Sequence, residues 1–310
     1  MSADGFHHEA VFYAGDDGFV ETMSAFVGAG AESGEPTLVM VGGRKIELLR
    51  AALGAAAEQV AFADMEVVGA NPARIIPAWR AFAAEQGGPG RRLRGVGEPI
   101  WAGRGPDELV ECQRHEALIN LAFADCDGFV LACPYDTTAL GDDVIAEARR
   151  SHPCLVERDG ERPSGEYTGR EEIAAPFAAP LPEPVTPAHE LPFGPGALPR
   201  VRRFVASHAA ALNGKIDDLV MAANEAASNS LRHGGGEGVV RLWTEDGRVV
   251  CEVRDRGRIE QPLAGRVRPV GLQGGGHGLW LINQLCDLVQ VRAFDDGGAV
   301  RMHMRLPRDS

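Results

Sequence analysis

The run Asn224-Glu225-Ala226-Ala227-Ser228-Asn229-Ser230-Leu231-Arg232-His233-Gly234 decides how the second half of this 310-residue chain is read. It ends a segment, Ile216 to Leu231, whose apolar residues recur at helical spacing, and Glu225 and Asn229 fall four apart on one face of that helix. A carboxylate so placed can orient or deprotonate a nucleophile, and a neutral amide oxygen beside it can ligate Mg²⁺ on a phosphate chain. Taken alone, the pair reads as a solvated polar face. Two later segments change that reading.

Asp255-Arg256-Gly257 closes a β-run, where a carboxylate at a strand end can accept from an exocyclic amine and Gly lets a base ring approach the backbone. Then Gly274-Gly275-Gly276-His277-Gly278 leads into an amphipathic helix over Gly278 to Cys286, and Gly-rich amides at a helix N-terminus cradle phosphates. The spacing predicts further helices over Leu198 to Leu212 and Ile216 to Leu231. Strands are predicted over Gly238 to Glu245, Val249 to Asp255, Leu288 to Ala293 and Ala299 to Leu306, with Asp246-Gly247 and Asp296-Gly297 as hairpin turns. Hairpins grouped apart from helices imply an α+β layer sandwich.

In this order and spacing, N-E-A-A-S-N-S-L-R-H-G, D-R-G and G-H-G-L-W-L-I resemble the N, G1 and G2 boxes of the GHKL ATPase superfamily. Over roughly residues 197 to 308 they are similar to its anti-sigma factor serine kinases. The resemblance implies ATP and Mg²⁺ as cofactors, with Glu225 as general base, Asn229 as Mg²⁺ ligand, and Asp255 with Gly257 as adenine reader. It implies Gly276, Gly278 and Leu279 at the phosphate-binding lid and His233 following the N box. It further implies a serine on a small anti-anti-sigma (STAS-type) partner as phosphoacceptor, a sigma factor held competitively on the same surface, and a homodimer through the sheet. Where the family often has a second Gly after Gly257, this chain has Ile259, which stiffens the entry to the lid. Arg258, Arg266 and Arg268 are either γ-phosphate ligands or solvated loop charge. A histidine kinase would need an acceptor on a dimerising hairpin ahead of the N box; His208 is the one His on the preceding helix, and a core or surface role suits it better. A non-catalytic, nucleotide-gated sigma-factor-binding module stays open beside the kinase.

Upstream, Pro163, Pro176, Pro180, Pro182, Pro184, Pro187, Pro192 and Pro195 crowd a stretch with little apolar periodicity. Such a run cannot form helix and is stiff when extended, so residues 161–196 are expected to be a linker between domains at 1–160 and 197–310. Before it, predicted strands (Glu9 to Ala14, Thr37 to Gly42, Val67 to Gly69, Arg92 to Gly97, Gly128 to Cys133, Cys154 to Glu157) alternate with predicted helices (Phe19 to Gly30, Lys45 to Leu53, Pro72 to Glu85, Pro106 to Phe123, Gly141 to Ser151). That alternation implies an α/β domain with a parallel sheet. Tyr13-Ala-Gly-Asp-Asp-Gly-Phe19 stands where a P-loop would, without its Lys and Ser/Thr.

The patterns H-E-A-V-F-Y near the start, G-E-P-I-W at 97–101, E-C-Q-R-H-E-A-L-I-N at 111–120, C-P-Y-D at 133–136 and H-P at 152–153 resemble the MEDS sensory domain, over residues 6 to 157. The resemblance implies a degenerate RecA-like fold and an unknown small-molecule ligand, hydrocarbon derivatives among the candidates. Open α/β sheets bind ligands at the carboxyl ends of their strands, which nominates Glu98, Trp101, Cys133, Tyr135 and Asp136. Cys112 and His115 lie one helical turn apart and are expected to pack rather than bind metal, two ligands being too few.

Composition bounds the rest. Hydrophobic residues at 45% and charged residues at 24% exclude a disordered or disulfide-scaffold chain, and the six Cys form no C-x-x-C pair. No apolar run is long enough for a membrane span, and the first ten residues lack a signal-peptide pattern, so the expected compartment is the cytoplasm, with no membrane partner. The net charge of −13 argues against direct nucleic-acid binding, and it divides unevenly: residues 1–196 hold 15 basic and 31 acidic residues (−16), residues 197–310 hold 16 and 13 (+3). A mildly basic second half suits a domain that must hold ATP and acidic partner proteins. Lys occurs only at 45 and 215.

Overall fold

The computed structural model describes residues 5–169, 180–259, 261–269 and 276–307 and divides the chain into two compact units, Met1–Ile173 and Ala174–Ser310. Gly274 and Gly275 of the predicted lid, and residues 170–179 of the Pro-rich stretch, lie outside the described residues. Among the described residues no helix is long and apolar enough to cross a membrane.

The first unit is a seven-stranded sheet. Its strands are β1 (His7–Tyr13), β2 (Thr37–Val41), β3 (Val60–Asp64), β4 (Leu93–Gly97), β5 (Phe129–Asp136), β6 (Cys154–Glu157) and β7 (Gly160–Pro163), in the order β3-β2-β4-β5-β1-β6-β7. Every pairing is parallel except β6 with β7. The helices α1 (Gly15–Glu32) and α2 (Gly43–Leu53) cover one face, where Phe19, Met23, Val27 and Leu49 pack on Val11, Val39, Val96 and Ala132. Along a strand side chains alternate, so His8, Cys133 and Tyr135 belong to the other face, that of α4 (Ile75–Gln86), α5 (Pro106–Ala122) and α6 (Asp142–Ser151). Trp79 of α4 lies so close to Gly95 and Gly97 that a Cβ at either would meet its ring within 3.0 Å.

One expectation here is corrected. Val67 to Gly69 is not a strand; the strand is the alternating run Val60–Asp64, and Met65–Val68 forms a short helix, α3, because Asp64 caps it by accepting from the Glu66 amide at 2.9 Å.

The second unit carries β8 (His189–Phe193), α7 (Leu198–His208), α8 (Ile216–His233), β9 (Gly238–Glu245), β10 (Arg248–Asp255), α9 (His277–Leu285), β11 (Leu288–Phe294) and β12 (Gly297–Arg305). The strands form an antiparallel sheet ordered β11-β12-β10-β9-β8. α8 packs on the sheet through Leu219 and the small side chains of Ala222, Ala223, Ala226 and Ala227, in one core with Val240, Leu242, Cys251 and Val253. The Asp246-Gly247 turn has positive φ at both residues (49° and 69°), as a two-residue hairpin requires. The β11–β12 turn uses Asp295 and Asp296, with Gly297 already paired to Phe294, one residue earlier than expected.

The Pro-rich stretch is not all linker. β7 adds to the first sheet and β8 to the second, with Pro163 at a strand end and Pro192 in an edge strand, places where a missing N–H removes no obligatory ladder bond. Leu181 is buried, and Glu183 bridges Arg241 and Arg254 at 2.8 and 3.0 Å. α7 also ends at His208, short of Leu212, in a 3-10 turn over Ala210–Lys215 where Asn213 has φ 49°.

Candidate functional site

In the second unit, the polar residues singled out in the sequence meet around three glycines. Asp255 ends β10 with one carboxylate oxygen accepting from the Gly257 amide at 2.7 Å and the other from the hydroxyl of Ser230. Two of its acceptor directions are thereby fixed and others stay available, as an exocyclic amine would need. Gly234 ends α8 directly against that carboxylate: a Cβ there would stand 2.4 Å from Asp255 Cγ. A Cβ on Gly257 would stand 2.8 Å from Gly234 Cα and 2.9 Å from the His233 carbonyl oxygen. The cradle exists only because these positions lack side chains, and a flat ring fits such a bare backbone surface.

One helical turn back, Asn229 faces the start of α9. A Cβ on Gly278 would come within 2.8 Å of Asn229 Nδ2 and 3.2 Å of Oδ1, and Oδ1 accepts from Arg232 at 3.3 Å. Gly276 caps the start of α9 in the left-handed region (φ 99°), and Gly278 in the first turn lies against the Asn229 side chain. Glu225, half-buried, lies a turn before Asn229 on α8.

The remaining expected residues divide. The His233 ring is exposed and only its carbonyl borders the cradle, while Leu279 is buried in the core beneath α9. Arg258 donates to the Asp295 carbonyl at 2.7 Å; Arg266 is buried, against the reading of solvated charge, and Arg268 is exposed. Ile259 packs against the core, which accounts for a side chain where a Gly was expected. His208 Nδ1–H donates to the Phe204 carbonyl at 2.8 Å, with its ring 4.3 Å from that of His189 and 4.6 Å from that of Phe204. Sequence reasoning missed Ser230 as the partner of Asp255, although its place beside Asn229 in the N box was a signal.

In the first unit, the expected sensor residues fall into two groups. Glu98, just past β4, accepts from the Tyr13 hydroxyl at 2.7 Å and from Lys45 Nζ at 2.5 Å, at the carboxyl ends of the strands. Burial pushes the Glu98 carboxyl above the usual range although the Lys45 ammonium opposes it, and burial with the Glu98 charge pushes the Tyr13 phenol up. Asp136 ends β5 beside them; burial opposes its ionisation, but the Thr138 hydroxyl and amide and the Gly15 amide outweigh it and hold its pKa down. Trp101 is half-buried under the Arg104 guanidinium, 3.9 Å from the ring centre. Tyr135 lies one residue before the end of β5 and Cys133 three, and both side chains are buried on the α5 and α6 side. Lys45 was missed, and its signal was rarity, one of two lysines in the chain. Cys112 is buried with its thiol 3.3 Å from the Pro99 carbonyl, a packing role as expected.

Comparison with known proteins agrees with both halves. Residues 7–153 match the family model described as MEDS, methanogen/methylotroph, DcmR sensory domain, and residues 191–304 match the histidine kinase-like ATPase domain. The chain carries a MEDS domain followed by a histidine kinase-like ATPase domain. No curated protein matches the sequence. Among solved structures, the RsbU and RsbW domains of Rv1364c from Mycobacterium tuberculosis align at 22% identity and a TM-score of 0.31, covering 40% of this chain and 34% of that one. The chain thus spans about a third of that protein.

Proposed function

We propose that the chain is a cytoplasmic anti-sigma regulator whose C-terminal unit binds Mg·ATP, phosphorylates a serine on an anti-anti-sigma partner of the STAS type and sequesters a sigma factor, under control of a small molecule held by the N-terminal unit. The observation that carries this reading is the glycine-walled cradle of Gly234, Asp255 and Gly257, with Asn229 closed against the Gly276 to Gly278 turn. It fits adenine on Asp255 and phosphates at α9. Mg²⁺ on Asn229 Oδ1 supplies charge neutralisation at the phosphates when bound. Glu225 takes the proton of the partner's seryl hydroxyl as its oxygen bonds to the γ-phosphorus; the bond to the bridging β-oxygen breaks, leaving ADP and phosphoserine. Homodimerisation through the antiparallel sheet belongs to the same reading. The packed ring of His208 favours a partner serine over an acceptor in the chain itself.

The test is to incubate the full chain with Mg·ATP and a candidate partner and weigh the partner. Addition of one phosphoryl group to a serine, lost in Glu225→Gln while ATP binding persists, is expected. An unmodified partner that nevertheless binds in a nucleotide-dependent way would replace the kinase with a gated binding module, and acid-labile phosphate on His208 would make it a histidine kinase.

A further inference from the structure

Four residues from four elements converge in the core of the first unit: His8 of β1, Glu116 of α5, Cys133 of β5 and His152 at the end of α6. All are buried, and their donor atoms lie within 4.8 Å of one another. His8 Nε2 is 3.2 Å from Glu116 Oε2 and 3.3 Å from Cys133 Sγ; Glu116 Oε2 is 3.4 Å from Cys133 Sγ and 3.4 Å from His152 Nε2. A tetrahedral zinc ion with N and O ligands near 2.0–2.1 Å and S near 2.3 Å sets its ligand atoms about 3.3–3.5 Å apart, and four of the six separations here are 3.2–3.4 Å, with all six within 4.8 Å.

The hydrogen bonds around the cluster fix which atoms face inward. Asn120 Nδ2 donates to the carbonyls of Glu116, Ala117 and Ser151 (3.2, 3.4 and 2.8 Å), so its Oδ1 faces His8 and accepts from Nδ1–H at 3.1 Å. His152 Nδ1 lies 2.8 Å from the Ala148 carbonyl, which can only accept. With these Nδ1 partners, a neutral ring at either position carries its proton on Nδ1 and presents the Nε2 lone pair to the Glu116 carboxylate. His152 Nε2 and Glu116 Oε1 are buried without a hydrogen bond among the described residues. Lone pairs facing an anion in a dry core repel unless positive charge lies between them. A ring that donates its far N–H to a carbonyl is also the usual second partner of a metal-bound imidazole.

We propose that His8 Nε2, Glu116, Cys133 Sγ and His152 Nε2 form a closed tetrahedral site for a divalent transition metal of the zinc class. Two imidazoles, a thiolate and a carboxylate suit such an ion better than Mg²⁺ or Ca²⁺. Binding releases the Cys133 proton to solvent, reversing the rise in its pKa that burial and Glu116 impose. With all four ligands from protein and none exposed, the ion is a staple joining β1, β5, α5 and the end of α6. A neighbouring group, His7, Glu9, Cys154 and Glu161, provides the contrast: His7 bonds Glu9 at 3.0 Å and the Cys154 thiol donates to Glu161 at 3.2 Å, so its members satisfy one another, and Glu161 is exposed.

The full-length chain, produced in zinc-supplemented medium and dialysed against buffer without nucleotide, should retain about one zinc per chain by elemental analysis, as a closed four-ligand site predicts. Cys133→Ser and His152→Gln should each lose it, and Cys154→Ser should keep it. Should the first two fail to fold, refolding the wild-type chain with Co²⁺ should give a thiolate-to-cobalt charge-transfer band and the visible bands of a tetrahedral ion. A folded wild-type chain that holds neither metal, or one whose zinc survives Cys133→Ser, overturns the proposal. None of these readouts involves the kinase reaction.

Discussion

The two polar clusters of this protein are built in opposite ways. Around Asp255 the charged and amide groups are half-buried, and the space beside them is kept clear by Gly234, Gly257 and Gly278. Around Glu116 the groups are sealed, and the imidazole, thiol and carboxylate atoms crowd one point. The first arrangement leaves acceptor capacity for a ligand that comes and goes; the second leaves none for anything larger than an ion. Sealing has a physical consequence: a buried charge cannot fall back on water when a partner is removed, whereas an exposed one can.

That contrast can be broken or sharpened by four substitutions. The largest effect is expected in a third, purely structural cluster, where buried Glu252 meets Arg254 at 2.5 Å, Arg301 at 2.7 Å and Arg241 at 3.3 Å. Glu252→Gln leaves those guanidiniums without their carboxylate and should cost about 3–5 kcal/mol in urea unfolding. A loss below 1 kcal/mol would mean that sealed charges matter no more than open ones. Gly234→Ala should cost less, about 1–3 kcal/mol, because the new methyl must displace Asp255, yet it should abolish nucleotide binding. Retained binding would show that the cradle is not the site.

Third comes pH. Burial, then Arg248 and Arg301, lower the His303 pKa to about 3. The unfolded chain, with an ordinary His near 6.5, binds that proton first, so the stability this residue contributes is complete above pH 6.5. It is lost at up to about 1.4 kcal/mol per pH unit as pH falls toward 3. Calorimetry of His303→Gln should therefore show a shallower decline below pH 6.5 than the wild type. Parallel curves would disprove the assignment. The smallest effect is expected at the exposed rim, where Arg258→Ala should change stability by no more than about 0.5 kcal/mol.

Much of this was legible in the sequence. The helix carrying Glu225 and Asn229, the strand ending at Asp255 and the helix beginning beside Gly278 were readable because residue type and spacing constrain them locally. The α/β alternation of the first half was readable for the same reason. What escaped were relations across the fold. Val60–Asp64 was passed over because Val67 and Val68 have stronger β-propensity, while the Asp64 cap settles them as helix. Pro192 disguised an edge strand as linker. Cys133 and Tyr135 were expected at a ligand mouth, and only strand pairing shows that their alternation turns them into the core. The meeting of His8 with Glu116, Cys133 and His152 spans more than a hundred residues and leaves no local trace beyond the motifs in which each one sits.

The central claim is that Asp255 reads adenine in a nucleotide site of the second unit, and calorimetric titration of the full chain with ATP and GTP in Mg²⁺ tests it most directly. A carboxylate accepts from the adenine amine and repels the carbonyl that guanine presents at that position, so the wild-type chain should prefer ATP. Asp255→Asn should weaken ATP at least about tenfold, the loss of one charge-assisted hydrogen bond, and narrow the gap to GTP. Equal ATP affinity in wild type and Asp255→Asn, with both folded, would contradict the account.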